Sequence, residues 1–374
     1  MRSEKNLKNF PEEEWSNRVQ RVRDSMRKGG LGGLLIYSNA SASANTLYLS
    51  GYSPFLGCTV IALPLVADPV LFVDVDWDMV RAQEASWIDD VRTSRNLAKD
   101  AWRFLQERGE FKAKTGLVGV ETMPAPIYEE FVRQFGPDKL DLVSDLLLEI
   151  RRTISPWEIE MMRKIAKIAD AGLNAATSDL KDGLTEKEVS LKADIGMRLA
   201  GAEKIGFNQV ASGMNTDIPV RFATNKAIKR GELVLMDLSP VYNGYMADVS
   251  RTVVLGAASE RQKEIYDLVL ETQKKAIQSI RPGIRSTMLD KVARNAIAEA
   301  GYGECFPHRL GHGIGLDGAE FDLKEDDLIL KPGMVFTVEP GVYIRGFGGI
   351  RIEDDVLVTE TGAETLTTFR RSLT

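Results

Sequence analysis

Histidine is nearly absent from this chain: there are two in 374 residues, His308 and His312. Any imidazole chemistry must therefore come from one short stretch. Cysteine is as scarce. Cys58 and Cys305 lie far apart, and neither sits in a Cys-x-x-Cys spacing. That excludes a disulfide framework and argues against a thiolate zinc or redox site. Free thiols suit a cytoplasmic protein. No apolar run reaches the roughly 18 residues of a membrane span. The start, MRSEKNLKNFPEEEW, is polar and lacks an apolar signal core, so secretion is not expected. No basic tract carries interleaved aromatics, and the net charge is −6; a nucleic-acid partner is not expected either.

The apolar share, 44%, is that of a globular protein. The length suits two domains better than one. In the first part, helical and extended patterns alternate. A helix is expected over 14–29. Strands are expected over 31–38, 59–66, 69–75 and 115–121, with helices over 77–86 and 125–135. This alternation predicts an α/β domain. A boundary falls near 150–156. There Ser155-Pro156-Trp157-Glu158 has the capping box and first-turn proline of a helix start.

Beyond the boundary the order of elements repeats. Ser155-x-x-Glu158 and Thr185-x-x-Glu188 open helices, and a hairpin begins near 231. Ser259-x-x-Gln262 opens another helix, one more runs over 286–301, and strands begin near 331. The halves share architecture rather than sequence, and each delivers two carboxylates on strands.

The first pair lies in residues 231–256, GELVLMDLSPVYNGYMADVSRTVVLG. Asn243-Gly244 is a two-residue hairpin turn by type. Facing residues then have numbers summing to 487, so Asp237 faces Ser250 and Asp248 faces Ser239. Side chains alternate along a strand, which puts Asp237 and Asp248 on one face. As diagonal neighbours their Cβ atoms lie roughly 7 Å apart, and both can reach one ion. From the hairpin alone, a metal site and an ordinary ion pair are both open.

Both histidines lie in HRLGHGIGLDGAE (308–320). The glycines there allow close backbone approach or positive φ. GIGLDG matches the dinucleotide fingerprint literally, but no helical pattern follows it, so that reading is rejected. MVFTVEPG (334–341) and GGIRIEDDVLV (348–358) supply two further acids, Glu339 and Glu353. The register between these two strands is not fixed by the sequence. Four acids and one imidazole would make an oxygen-rich set for Mn²⁺, Co²⁺, Fe²⁺ or Zn²⁺.

Taken together, VLMDLSPVYNGYMADVSRT, GHGIG, TVEPGVY and GIRIEDDVLVT resemble the creatinase/prolidase/aminopeptidase P branch of the pita-bread metallopeptidases. RVQRVRDSMRKGGLGGLLIYS followed by LYLSGY is similar to that family's smaller domain. The resemblance implies an α/β (α+β) protein: a creatinase-type domain over 1–153, then a pita-bread catalytic domain over 154–374 with a pseudo-twofold repeat. It implies two divalent metal ions, manganese or cobalt first and zinc or iron as alternatives. Asp237, Asp248, His312, Glu339 and Glu353 would be the ligands. Glu339 would also act as general acid/base toward a bridging hydroxide, Arg351 would orient the ligand shell, and His308 would face the substrate. A homodimer is implied as well.

Two positions depart from the family's peptidases. Ala319-Glu320 stands for their His-Glu, and Pro219-Val220 for their Pro-His. Both lost histidines would contact substrate, and Arg221 is the candidate replacement. Three functions follow. The first is an Xaa-Pro dipeptidase or aminopeptidase. The second is a non-peptide C–N hydrolase acting on a small amide or amidine. The third is a catalytically inactive binding module.

Overall fold

In a computed structural model of the protein, residues 10–109 and 113–374 are described. The first nine residues of the polar start lie outside them. The chain divides into two compact units, Met1–Arg151 and Arg152–Thr374.

In the first unit, strands β1 (Leu31–Asn39), β2 (Cys58–Pro64), β3 (Val70–Val73), β4 (Asp90–Thr93), β5 (Lys114–Val118) and β6 (Leu140–Leu142) form one mixed sheet, ordered β4-β3-β2-β1-β5-β6. Helices α1 (Glu12–Lys28), α2 (Ala44–Ser50), α3 (Met79–Ala85), α4 (Leu97–Glu107), α5 (Ala125–Phe135) and α6 (Ser144–Arg151) accompany it. The apolar run of β1 is buried along nearly its whole length, as a central strand covered on both faces requires. The stretch expected as a strand over 115–121 stops at Val118, because Gly119 turns left-handed (φ 90°) and a 3₁₀ turn follows.

The second unit is built twice. Helices α7 (Pro156–Ser178) and α8 (Glu186–Leu199) precede β7 (Lys204–Ser212), β8 (Leu233–Tyr242), β9 (Tyr245–Met246) and β10 (Val249–Val254). Helices α9 (Glu260–Gln278) and α10 (Ser286–Glu299) precede β11 (Val335–Val338), β12 (Gly341–Ile344), β13 (Gly348–Arg351), β14 (Asp354–Val358) and β15 (Ala363–Thr365). Capping boxes start α7, α8 and α9 at Ser155, Thr185 and Ser259, the positions the sequence indicates. The repeat extends to single hydrogen bonds. Gly183 N–H donates to Ile228 and Glu186 N–H to Lys226; likewise Gly283 N–H donates to Leu330 and Ser286 N–H to Leu328. Each half has its own apolar core, one around α7, α8 and β8, the other around α9, α10 and β11.

Residues 348–358, expected as one strand, are two. β13 pairs with β12, and β14 pairs with β11 and β15. The break falls at Ile352-Glu353, where Glu353 N–H leaves the sheet to donate to Ser250 O at 3.1 Å. The facing chain breaks at Glu339-Pro340, where proline has no N–H to give a ladder. A buried ion pair closes this region from behind. Arg251 Nη2 lies 2.7 Å from Asp354 Oδ1, and Arg251 also donates to the carbonyls of Ser250, Glu353 and Phe369. Among the described residues no helix is long and apolar enough to cross a membrane.

Candidate metal centre

The hairpin has the expected register on either side of a break at Ala247-Asp248, so the expected Asp248–Ser239 pair does not form while Asp237–Ser250 does. Tyr242 faces Tyr245, Asp237 faces Ser250, and Leu238 faces Val249. Asn243 and Gly244 both take positive φ, 50° and 81°, as this two-residue turn requires. Asp237 and Asp248 are both buried. Asp248 N–H points away from β8 and donates to Asp355 Oδ2 at 3.1 Å.

The histidine loop lies antiparallel beside β11. Thr337 N–H donates to His312 O, and Glu339 N–H donates to Leu310 O at 2.8 Å. Thr337 Oγ1 accepts from His312 N–H and donates to Glu339. This ladder brings His312 beside Glu339. Close approach, not positive φ, explains Gly311 and Gly313, which keep ordinary φ and where an added Cβ would clash with Thr337 and Phe321. A Cβ at Gly311 would lie 1.9 Å from Thr337 O. Gly311→Ala should therefore push the loop off β11. We expect a destabilisation of roughly 1–3 kcal/mol from overpacking and weaker metal retention. Thermal denaturation and metal analysis of the variant check both.

The fourth acid arrives by the register of β14. Val338 faces Asp354 as the last pair of the ladder, and Glu339 and Glu353 are the residues immediately beyond it on the two chains. Ser250 Oγ donates to Glu353 Oε2, which ties the second carboxylate pair to the first hairpin. Ligand atoms of Asp248, His312 and Glu353 all lie within 4.8 Å of one another. Glu339 joins them through His312, with 3.5 Å between Oε1 and Nε2.

The electrostatics ask for cations. Burial pushes the Asp248 and Glu353 carboxyls well above the usual carboxylate range, and repulsion from neighbouring acids adds to it, first Glu353 for Asp248 and first Glu339 for Glu353. Burial likewise raises Glu339, to about 7, although Arg351 pulls it back. Burial lowers His312 to about 4, so its ring is neutral near pH 7. Its Nδ1 lies 3.2 Å from Gly313 O. A carbonyl can only accept, so Nδ1 carries the proton and Nε2 is bare. That bare nitrogen faces Asp248 Oδ2 at 3.8 Å and Glu339 Oε1 at 3.5 Å. With the ring neutral, neither contact is an ion pair. The buried Oδ1 atoms of Asp237 and Asp248 have no hydrogen-bond partner. Buried anions need a metal, a cation or a full donor set, and a set of carboxylates and one imidazole nitrogen suits a divalent ion. The donor set fits the implied metals.

A relay holds the cluster from one side. Arg351 donates to Asp237 Oδ2, to Ser250 Oγ at 2.8 Å, to Pro219 O at 2.9 Å and to Tyr343 Oη at 2.8 Å. Tyr343 Oη in turn lies 3.0 Å from His308 Nε2, and His308 Nδ1 lies 2.7 Å from Arg309 O. By the same reasoning His308 Nδ1 is protonated, and Tyr343 donates to Nε2. Burial lowers the His308 pKa to about 3, consistent with a neutral ring locked at both nitrogens. Sequence reasoning missed Tyr343. Its one signal was its place in TVEPGVY, four residues after Glu339. The guanidinium of Arg221 pairs with none of the four acids or the imidazole. It is 3.9 Å from Asp217, and the backbone N–H of Arg221 donates to Gln209.

The comparisons with known proteins give the family. Metallopeptidase family M24 matches residues 160–360. The chain belongs to this family. The Creatinase/Prolidase N-terminal domain matches residues 18–153. An Xaa-Pro dipeptidase of Pyrococcus horikoshii is 36% identical over 365 residues, 96% of this chain and 99% of that relative. One from Pyrococcus furiosus is 37% identical over 334 residues, 88% and 92% of the two chains. Among solved structures, the prolidase of Pyrococcus horikoshii OT3 superposes with a TM-score of 0.85 at 36% identity, covering 96% of this chain and 100% of that one. The Xaa-Pro dipeptidase of Bacillus anthracis gives 0.86 at 30%, covering 96% and 99%. The chain is thus a metallopeptidase-type enzyme with the mixed α/β, pita-bread architecture of the prolidases.

Proposed function

We propose that this M24 enzyme is a two-metal Xaa-Pro dipeptidase whose centre is Asp237, Asp248, His312, Glu339 and Glu353. The observation that carries the metal reading is the bare His312 Nε2 turned toward two buried carboxylates. These five residues would hold the ions. Divalent ions bound there supply Lewis acidity, polarising a substrate carbonyl and making a water acidic at neutral pH. Glu339 holds and moves the proton, its carboxyl lying 3.5 Å from His312 Nε2. Arg351 keeps Asp237 in place, and the Tyr343–His308 pair keeps Arg351 in place. Manganese or cobalt is the preferred metal. The domain limits 1–153 and 154–374, a homodimer and a cytoplasmic location belong to the same reading; two free cysteines suit a reducing compartment.

The substrate assignment is supported by relatives of that name matching almost the whole chain. Val220 and Ala319 favour a second reading. Val220 is 58% exposed, Ala319 is exposed too, and neither side chain has a donor to replace a lost imidazole. Losing one oxyanion donor can cost about 10²–10³ in rate. A remade site would instead take a non-peptide amide or amidine.

Xaa-Pro dipeptides and tripeptides offered to the manganese- or cobalt-loaded enzyme decide between them. The dipeptidase reading expects turnover of dipeptides, raised further in Ala319→His. No turnover of either class, together with hydrolysis of a small amide, would favour the second reading.

A further inference from the structure

One carboxylate outside the cluster reaches further than its place in the fold demands. Glu186 is the first residue of α8 and is fully buried. It accepts five hydrogen bonds. Ser212 N–H (2.7 Å), Ser212 Oγ (2.8 Å) and Asn215 Nδ2 (2.9 Å) donate to one oxygen. Thr224 N–H (3.0 Å) and Thr224 Oγ1 (2.6 Å) donate to the other. Burial pushes its pKa up, but these donors outweigh burial and hold it below the usual glutamate value, so it is an anion in the fold. The donors lie at both ends of segment 213–224. Backbone bonds from Lys187 N–H to Thr224 O and from Glu186 N–H to Lys226 O fix the same end.

Between those ends the segment meets the metal centre. Pro219 O accepts Arg351 Nη1 at 2.9 Å, and Thr216 Oγ1 accepts Gly349 N–H at 2.7 Å. Arg351 is the residue that holds Asp237.

The internal repeat supplies a control. The matching position in the other half is Ser286, whose N–H makes the matching bond to Leu328. Its hydroxyl accepts from Leu328 N–H at 3.0 Å and donates to Asp326 O. A hydroxyl is therefore enough to close this turn. The long carboxylate of Glu186 does something the turn does not need.

We propose that Glu186 is a positioning residue for the metal centre: it pins both ends of segment 213–224, so that the Pro219 carbonyl fixes Arg351 and, through it, Asp237. This rests on the reading of Arg351 and Asp237 as parts of the centre. In Glu186→Gln the amide nitrogen meets donors, so at least one of them loses its acceptor. The segment should then loosen.

The test is a double-mutant cycle of Glu186→Gln with Arg351→Lys, read by Co²⁺ affinity and the visible absorption of the bound Co²⁺. Groups behind metal ligands typically change affinity about 10–100-fold when removed. We expect Glu186→Gln to weaken Co²⁺ binding within that range and to alter the spectrum. In the Arg351→Lys background, where the planar fork is already gone, its further effect should be less than about threefold. Equal factors in both backgrounds overturn the inference, because Glu186 would then act independently of Arg351. So does an unchanged Glu186→Gln. If Arg351→Lys alone changes neither affinity nor spectrum, the reading of the centre fails and this inference falls with it. Should Glu186→Gln not fold, Thr224→Val and Thr224→Ser carry the test. Valine should weaken binding and serine, which keeps the hydroxyl, should restore it; equal losses contradict the proposal.

Discussion

Glu339→Gln should lower kcat on the enzyme's substrate by about 10²–10⁴, the usual contribution of a positioned proton-transfer group. The substitution keeps the shape of the side chain and removes its charge. Thr337 Oγ1, 3.3 Å from Glu339 Oε1, still has an oxygen to donate to. Glu339 N–H still donates to Leu310, so the ladder beside β11 stands. What is lost is the carboxylate beside His312 Nε2, the group assigned to accept and give the proton. Far-ultraviolet circular dichroism checks that the fold persists, and steady-state kinetics on the metal-loaded variant give the rate. Activity within tenfold of the parent would remove Glu339 from the chemistry.

Stripping metal with a chelator should destabilise the protein, and by more at pH 7.5 than at pH 5. The sign follows from the carboxyls. Without metal, Glu339 is raised to about 7, and Asp248 and Glu353 are raised well above their ordinary values. A group whose folded pKa is raised stabilises the fold fully below its unfolded pKa and loses that contribution as pH rises through the folded value. For Glu339 the window runs from about pH 4.5 to about pH 7. Each unit costs up to about 1.4 kcal/mol per group. Metal binding has the opposite slope, since ligands must lose their protons to bind. The gap between loaded and stripped melting temperatures should therefore widen from pH 5 to pH 7.5. Taking the difference cancels groups elsewhere in the chain. A gap that stays constant or narrows contradicts the assignment of these carboxyls to one site.

How much of this was legible beforehand depended on how local the information was. Asp237 and Asp248 could be placed together from sequence because Asn243-Gly244 sets the register within a dozen residues. Every pairing observed in that hairpin obeys the same sum. The three capping boxes were local in the same way, and so was the repeat they mark. Glu339 and Glu353 were not placed, because their register is tertiary. It depends on the glycine loop around Gly311 pressing on β11, on proline ending the ladder at 340, and on Glu353 N–H turning to Ser250. No pattern in 348–358 signals that turn, and alternation alone predicts one continuous strand. For those two acids and His312, the motifs shared with a known family carried information that periodicity did not. The Tyr343–His308 contact and the Glu186 clamp join residues 35 and 26–38 positions apart. Side chains meeting at such separations leave no periodic trace.

The most direct measurement is a titration of the stripped protein with Mn²⁺ or Co²⁺ at pH 7.5, counted by metal analysis of the dialysed product. The arrangement of four acids and His312 predicts two ions per chain, with both lost in Asp248→Asn and protons released on binding. Less than one ion per chain, or full binding in Asp248→Asn, would contradict it.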